Sequence, residues 1–246
     1  MFPIGDNIAT SRFAAVTWAI IAANAAVFLY ELGLSDYELE AFLIHYALVP
    51  RRYFNPSWAT AVGLSPLDVT PFLTNTFLHG GFLHIVLNLW TLYIFGPALE
   101  ERLGSARFAV LYLASGVVAS LAHALFNPLS PLPALGASGA IAGTIAAYAL
   151  SFPYALVRVL VPIFIIPVFF NVPALFFAGF WFLMQVLSGT SSLFLPAHGG
   201  GIAWWAHIGG FLAGWVLLMR LDTGRATIGR PPLGAGMPWL PFRWFR

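Results

Sequence analysis

A serine and a histidine that lie close to glycines in the sequence could act as a nucleophile and a base. Ser138 is part of the sequence GASG (136–139) at the start of one apolar segment, and His207 is part of AHIGG (206–210) near the start of another. A histidine nitrogen that hydrogen-bonds a serine hydroxyl removes its proton and makes the oxygen nucleophilic. Taken singly, each residue is also compatible with helix packing, because a membrane serine usually bonds to its own helix backbone.

Glycines spaced four residues apart could bring the two residues together. One pair follows the serine and another follows the histidine, at Gly139 and Gly143 and at Gly210 and Gly214. Such faces let two helix backbones approach closely. A close crossing of the two segments would place the serine hydroxyl within about 3 Å of a histidine ring nitrogen. Helix packing alone would use the same glycines.

A third apolar segment carries side chains that could stabilise a developing negative charge. His84 and Asn88 lie one helical turn apart on one face of that segment, and the backbone amide of Ser138 would be free at a helix N-terminus. Acyl transfer requires such donors, because each one lost costs about 2.7 to 4 kcal/mol. Asn88 would alternatively form an interhelical hydrogen bond. His79 is expected to order the turn before this segment.

A catalytic triad would need an acidic residue as its third member, and none lies in the outer half of any of the six membrane spans that we predict below. Glu100 and Glu101 close the inner end of the second predicted span, and Asp222 follows the sixth. The serine also does not lie in the G-x-S-x-G elbow of soluble α/β-hydrolases, since residue 140 is an alanine and no strand precedes it. We therefore expect a Ser-His dyad rather than a triad.

The composition places these residues in a membrane. Hydrophobic residues make up 60% of the chain and charged residues 8%, against roughly 25% charged residues in a typical soluble domain. Because a span needs about 20 mostly apolar residues, we predict an all-α, polytopic bundle of six transmembrane helices at residues 13–30, 82–99, 106–125, 135–152, 172–187 and 203–220. Three prolines interrupt the helical pattern before the fifth helix, so residues 156–171 are predicted to be an interfacial stretch.

The arginines predict the orientation of this bundle. All 11 basic residues are arginines. With a cytoplasmic N-terminus, only Arg51 and Arg52 lie outside, as the positive-inside rule favours. We expect cytoplasmic tails at residues 1–12 and 221–246 around a membrane domain at residues 13–220. In this orientation one depth is shared by the candidate nucleophile, the base and the two side-chain donors, within about two helical turns of the outer surface. Intramembrane polar groups of this kind indicate function.

With these features the chain resembles the rhomboid intramembrane serine proteases of the bacterial six-helix type. The motifs that carry the resemblance follow in order along the chain: HGGFLHIVLN (79–88), EERLG (100–104), GASG (136–139) and AHIGG (206–210) with Gly214. The resemblance implies Ser138 as the nucleophile and His207 as the base and acid. It implies His84, Asn88 and the Ser138 backbone amide as the oxyanion donors.

The resemblance also implies the surroundings of the site. It makes Glu100 or Glu101 a structural anchor, and it makes the fifth helix, with the loop before or after it, a substrate gate. Phe177, Phe180 and Trp181 on this helix are candidates for a lateral entrance, although core or lipid-facing packing explains these three more simply. The loop at residues 188–202 is a candidate lid. Expected partners are transmembrane protein substrates and membrane lipids, with no cofactor, metal or nucleic acid. The expected location is the bacterial cytoplasmic membrane.

Two other classes of function compete with a protease. A metal-binding membrane protein or transporter would use histidines at one depth, and all six map to the outer half or the outer loops: His45, His79, His84, His123, His198 and His207. No carboxylate or cysteine joins them at that depth, and the glycine-flanked serine has no role in such a site. A non-catalytic scaffold would bind membrane proteins without cutting them.

Overall fold

A computed structural model describes residues 1–192 and 203–223 of the chain. Helices dominate this part, and three strands accompany them. In chain order the elements are β1 (Phe2–Asp6), α1 (Ala15–Leu32), α2 (Asp36–Tyr46), α3 (Arg51–Phe54), α4 (Pro56–Ala61), α5 (Pro71–Thr74), a 3₁₀ turn (Asn75–Phe77), α6 (Phe82–Leu103), α7 (Ser105–Phe126), α8 (Ser138–Ser151), β2 (Leu156–Ile163), β3 (Ile166–Pro173), α9 (Ala174–Ser192) and α10 (Trp204–Leu221).

Four of the described helices are long and apolar enough to cross a membrane, namely α1, α6, α7 and α9. The fourth and sixth predicted spans also form helices, but α8 has only 14 residues, and α10, although as long as α1, is not among the helices that are both long and apolar enough. At about 1.5 Å per residue, α8 is shorter than the hydrocarbon core of about 30 Å. The structure therefore supports a multi-pass membrane protein, and the count of six spans stays a prediction.

The fold is mostly helical, as predicted, but it is not all-α, because residues 156–173 form a β-hairpin. The interfacial location of this stretch stays a prediction. Strands β2 and β3 pair antiparallel, and β1 adds to the other side of β2. Val157 and Val159 alternate along β2 and are completely buried against the helices, as a half-buried strand requires. Pro162 and Pro167 face each other near the turn, beyond the end of β1, where the ladder is open and proline is tolerated.

The sheet also changes the picture of residues 1–12, which were predicted to be a tail. The Trp90 indole nitrogen donates to the Pro3 carbonyl at 2.9 Å, and the Phe2 ring stacks on the same indole. Trp90 lies in the middle third of α6, so β1 runs along the side of the helical bundle. The Tyr148 hydroxyl of α8 donates to the Asp6 carboxylate at the other end of the strand.

Glycines set the closest approach in the bundle, between α8 and α10. A Cβ atom on Gly210 would overlap the carbonyl oxygen of Gly139, and one on Gly214 would overlap the backbone of Gly143. From Gly139 onwards α8 is buried until its last two residues, because α7 covers another of its sides. The two Gly-x-x-x-Gly faces therefore meet each other.

Glu100 anchors the start of α1. Its carboxylate accepts hydrogen bonds from the backbone amides of Val16 and Thr17 at 3.0 and 2.8 Å, from the Thr17 hydroxyl at 2.8 Å and from the Ser105 hydroxyl at 2.6 Å. No side chain at the N-cap position of α1 caps that helix, so Glu100 satisfies amides that a helix N-terminus leaves free. Glu101 accepts from the Ser11 amide and hydroxyl in the preceding segment.

A buried arginine orders the segment between α1 and α6. Arg52 is 2% exposed, pairs with the Asp68 carboxylate at 2.8 Å and donates to the carbonyls of Ser65 and His45. Hydrogen bonds from Thr70, together with the charge of Arg52, hold the pKa of Asp68 below its usual value. This segment leads into Asn75 and the turn that precedes α6.

We predict that Gly210→Ala destabilises the protein, whereas Gly179→Ala on α9 does not. The new Cβ atom at position 210 would overlap the Gly139 backbone, which has no flexible end that could move aside. Overpacking of this kind costs about 1 to 3 kcal/mol. At position 179 the Cβ atom meets nothing within 4 Å, and alanine gains about 0.5 to 1 kcal/mol over glycine inside a helix.

Thermal unfolding of both variants in the same detergent measures the difference. Equal melting temperatures for Gly210→Ala and Gly179→Ala would show that α8 and α10 do not depend on backbone contact.

Candidate active site

Ser138 is the first residue of α8 and follows a turn that requires glycine. Gly136 has a φ of 125°, in the region that side-chain-bearing residues rarely adopt. Its amide donates to the Asn75 carbonyl at 2.9 Å, which ties the turn to the segment before α6. Because Ser138 starts the helix, its own amide lies among those without a partner inside the helix and points along the positive end of the dipole.

His207 meets Ser138 directly. Its Nε2 atom lies 2.8 Å from the Ser138 hydroxyl oxygen, within the range of a good hydrogen bond. The imidazole is 9% exposed and lies in the first turns of α10, three residues before Gly210. The glycine contact between α8 and α10 therefore brings together the two residues that the sequence nominated as nucleophile and base.

His84 and Asn88 extend from α6 toward the turn before Ser138. A Cβ atom on Gly136 would lie 2.7 Å from His84 Cε1 and 3.7 Å from Asn88 Nδ2, so both side chains lie against this glycine. Asn88 is buried, and its Nδ2 atom has no hydrogen-bond partner among the described residues. Two potential donors from α6 thus lie beside the free amide at the start of α8, as the shared face of these residues suggested.

His79 lies in the loop before α6 and contributes through its backbone. Its amide lies 3.4 Å from both carboxylate oxygens of Glu31 at the end of α1. Its buried ring meets the His84 ring edge to face at 5.1 Å. Burial, with a smaller contribution from His84, lowers the pKa of His79 to about 4. A neutral His79 ring therefore packs against the site at ordinary pH.

Gln185 of α9 is a site residue that sequence reasoning missed. Its Oε1 atom lies 2.8 Å from His207 Nδ1, and the side chain is 6% exposed. Its Nε2 atom donates to the carbonyl of Trp181 one turn earlier at 3.2 Å. The available signal was a lone amide within an otherwise apolar stretch of α9, since polar side chains at membrane depth indicate function or a specific partner.

The three aromatic candidates for a lateral entrance have different surroundings. Phe177 is buried and its ring stacks with Phe95 of α6 at 5.7 Å. Phe180 is exposed on the surface of α9. The Trp181 ring lies 5.6 Å from the His207 ring, so it packs against the base. Phe177 is therefore a core residue, while Trp181 forms one wall of the site.

A small cavity adjoins the serine on the side away from α6. It has a volume of about 20 Å³ and is lined in part by Asn75, Ser120, His123 and Ser138. A space of this size holds one water molecule where polar partners are present. The cavity therefore offers room for a single water beside the serine hydroxyl.

Some predicted features lie outside the described residues. These are His198, the chain beyond residue 223 and most of the candidate lid, which the structure describes only up to residue 192. Within the described part, no group of three or more His, Asp or Glu side chains could hold a metal ion. His207 instead has its two ring nitrogens engaged by Ser138 and Gln185.

Comparison with known proteins identifies similar sequences. The chain is 44% identical over 75 residues to the rhomboid protease GluP of Bacillus subtilis, and this match covers 30% of this chain and 14% of that protein. It is 31% identical over 147 residues to RHOMBOID-like protein 1 of Arabidopsis thaliana (52% and 37%). It is 30% identical over 157 residues to the mitochondrial rhomboid protein 1 of Saccharomyces cerevisiae (62% and 40%).

The matched part of the chain spans less than half the length of each of these relatives. The family profile described as Rhomboid domain matches residues 66–221, which include the turn before α6, the start of α8 and all of α10. This match covers more than half of the 246 residues. The chain is thus a multi-pass membrane protein that belongs to the rhomboid family.

Proposed function

We propose that this protein is an intramembrane serine endopeptidase that cleaves single-span membrane proteins near the outer face of the membrane. The observation that carries the proposal is the 2.8 Å hydrogen bond between the Ser138 hydroxyl and His207 Nε2. A partly buried serine and a buried histidine from two different helices, 69 positions apart, meet in the geometry that a base needs to activate a serine. Membership of the rhomboid family supports the same activity.

The reaction would follow the two steps of serine hydrolases. His207 takes the hydroxyl proton as Ser138 attacks the carbonyl carbon of the scissile peptide, and the histidine then gives that proton to the leaving amine. A water molecule next loses a proton to His207 and hydrolyses the acyl enzyme. The small cavity beside Ser138 has room for that water.

The oxyanion would be held by donors from two helices. The His84 and Asn88 side chains of α6 lie against Gly136, two residues before the Ser138 amide at the start of α8, and these three groups would donate to the tetrahedral oxygen. The free Nδ2 of Asn88 supports this role, because a buried amide nitrogen without a partner is costly unless a ligand satisfies it. The helix N-terminus adds a favourable partial charge.

The substrate would be a membrane-spanning segment that is locally unwound. A helical peptide bond is shielded by its own side chains and hydrogen bonds, and lipid offers no alternative partners. Cleavage near the end of a span, where water and polar groups are close, lowers the cost of unwinding. The arginine distribution supports a site on the outer side with both termini cytoplasmic. The proposed location is the bacterial cytoplasmic membrane.

The engagement of His207 favours a hydrolase over the competing classes. A zinc site would need the ring nitrogens of several histidines to converge, but those of His207 face a hydroxyl and an amide. A non-catalytic scaffold has no use for an activated serine. A cleavage assay distinguishes the hydrolase from the metal-binding protein and from the non-catalytic scaffold.

We predict that the purified protein in liposomes cuts a reporter single-span substrate, and that Ser138→Ala and His207→Ala each lower the rate by at least about 10³-fold. His45→Ala is the matched control, because among the described residues the His45 ring bonds only to the Ala41 carbonyl of its own helix, and this variant should cut at the wild-type rate. A chelator should have no effect. Substrate that is bound but not cut would support the non-catalytic scaffold. Activity that a chelator abolishes would support the metal-binding protein. Full activity of both Ser138→Ala and His207→Ala would refute the dyad.

We predict that Asn88→Ala lowers kcat by about 10² to 10³-fold with KM unchanged, because the lost donor serves the transition state. Asn171→Ala on β3 is the matched control. The Asn171 side chain is exposed, and no residue of β3 belongs to the described site. Steady-state kinetics on the same reporter measure both variants. A rise in KM alone would assign Asn88 to substrate binding instead.

We predict that Gly136→Ala abolishes most activity although the dyad is intact. Alanine at a positive φ costs about 1 to 2 kcal/mol, and its Cβ atom would push the His84 ring, 2.7 Å away, out of position. Gly80→Ala is the control, because its Cβ atom would meet only ordinary contacts at 3.6 Å or more. Cleavage rates measure the difference, and equal rates would show that His84 does not need its place against the turn.

A further inference from the structure

The hydrogen bonds around Gln185 determine which ring nitrogen of His207 carries the proton. A backbone carbonyl only accepts, so the Gln185 amide group that faces the Trp181 carbonyl must be the NH₂ group. The amide oxygen then faces His207 Nδ1 at 2.8 Å, and only a protonated Nδ1 can donate to it. The opposite orientation would set two oxygens against each other at one end of the amide.

This arrangement leaves the other nitrogen free for chemistry. When Nδ1 carries the proton of the neutral ring, Nε2 presents its lone pair, and Nε2 is the atom 2.8 Å from the Ser138 hydroxyl. The alternative tautomer would point an N–H group at the hydroxyl and could not accept its proton. The tautomer is therefore a condition for activation of the serine.

We propose that Gln185 is a positioning residue that holds His207 in the Nδ1–H tautomer and fixes the plane of its ring. The proposal rests on the proposed function, since it assigns Gln185 a part in activating Ser138. The position is that of the third member of a triad, with a neutral amide in place of a carboxylate. Among the described residues, no Asp or Glu side chain hydrogen-bonds His207.

The surroundings of Gln185 support a specific role. The side chain is almost completely buried, and both ends of its amide are satisfied. Its anchor, the Trp181 carbonyl, belongs to the same helix, and the Trp181 ring packs beside the imidazole. The rigid α9 backbone therefore carries the acceptor and one wall of the ring together, so two contacts orient His207 from one side.

Three variants separate positioning from packing. Gln185→Met keeps the length and burial of the side chain and removes the acceptor. Gln185→Asn keeps the amide but withdraws its oxygen by one methylene, and it decides the question if Gln185→Met does not fold. Gln185→Glu in its protonated, neutral form keeps an acceptor for His207 and a donor for the Trp181 carbonyl. Thr190→Val on the same helix is the control, because among the described residues the Thr190 hydroxyl bonds only to the α9 backbone.

We predict that Gln185→Met and Gln185→Asn lower kcat by about 10 to 100-fold, as loss of an orienting partner of histidine typically does, with KM unchanged. Gln185→Glu should recover most of this loss, and Thr190→Val should match the wild type. Nitrogen-15 spectra of histidine-labelled protein, with His207 assigned by comparison with His207→Ala, should show a protonated Nδ1 in the wild type and a mixture of tautomers in Gln185→Met and Gln185→Asn.

The spectrum does not depend on cleavage, so the two proposals fail separately. An inactive wild type that shows the Nδ1–H tautomer would overturn the proposed function and leave the orienting contact in place. An active wild type whose rate and tautomer are the same in the folded Gln185→Met or Gln185→Asn variant would overturn the role of Gln185 alone. A fall in kcat without a change of tautomer, or without recovery in Gln185→Glu, would reduce Gln185 to a packing residue.

Discussion

The backbone contact between α8 and α10 is the constraint on which the rest of the structure depends. Gly210 and Gly214 lie so close to the backbone of α8 that no side chain fits at either position. Ser138 directly precedes the first glycine of one face, and His207 lies one turn before the first glycine of the other. Because helices are rigid over one turn, the glycine contact fixes the distance between hydroxyl and imidazole.

The other groups of the site depend on this contact indirectly. Residues from α6 and α9 approach the dyad from different directions, His84 and Asn88 from one and Gln185 from the other. Helix α6 is held near its C-terminal end, where Glu100 binds the start of α1. The site is therefore assembled from four helices, each of which contributes short polar groups.

The sequence predicted which polar residues would lie close together, but it did not predict the sheet. The proximity could be predicted because helical periodicity and glycine spacing are local features of a sequence. The residues concerned are Ser138, His207, His84 and Asn88. The sheet was missed for the opposite reason. Strand β1 pairs with β2 across about 150 positions, so nothing near Phe2 announces its partner, and the prolines of the hairpin disrupt a helix and end a strand equally well.

Two further features show the limit of local patterns. Gln185 lies 22 positions before His207, and the rotation of α9 about its own axis decides whether the amide meets the imidazole or lipid. That rotation depends on tertiary packing, such as the stacking of Phe182 of α9 on Phe211 of α10 at 4.5 Å. Glu100 was expected to be an anchor, but its target, the start of α1, lies more than 80 positions away.

Among the described residues, no carboxylate hydrogen-bonds His207, and electrostatics gives a reason for this in the proposed intramembrane site. An ionised carboxylate there would be charged before the reaction begins, and its desolvation would cost several kcal/mol unless a permanent partner were present. The amide of Gln185 is neutral, so it adds no charge to the resting site. In the transition state of the proposed reaction, an imidazolium and an oxyanion would appear together. Two opposite charges about 4 Å apart attract by about 4 kcal/mol at an effective dielectric constant of about 20. The reacting groups therefore stabilise each other's charges, and the third residue is left with orientation of the base as its task.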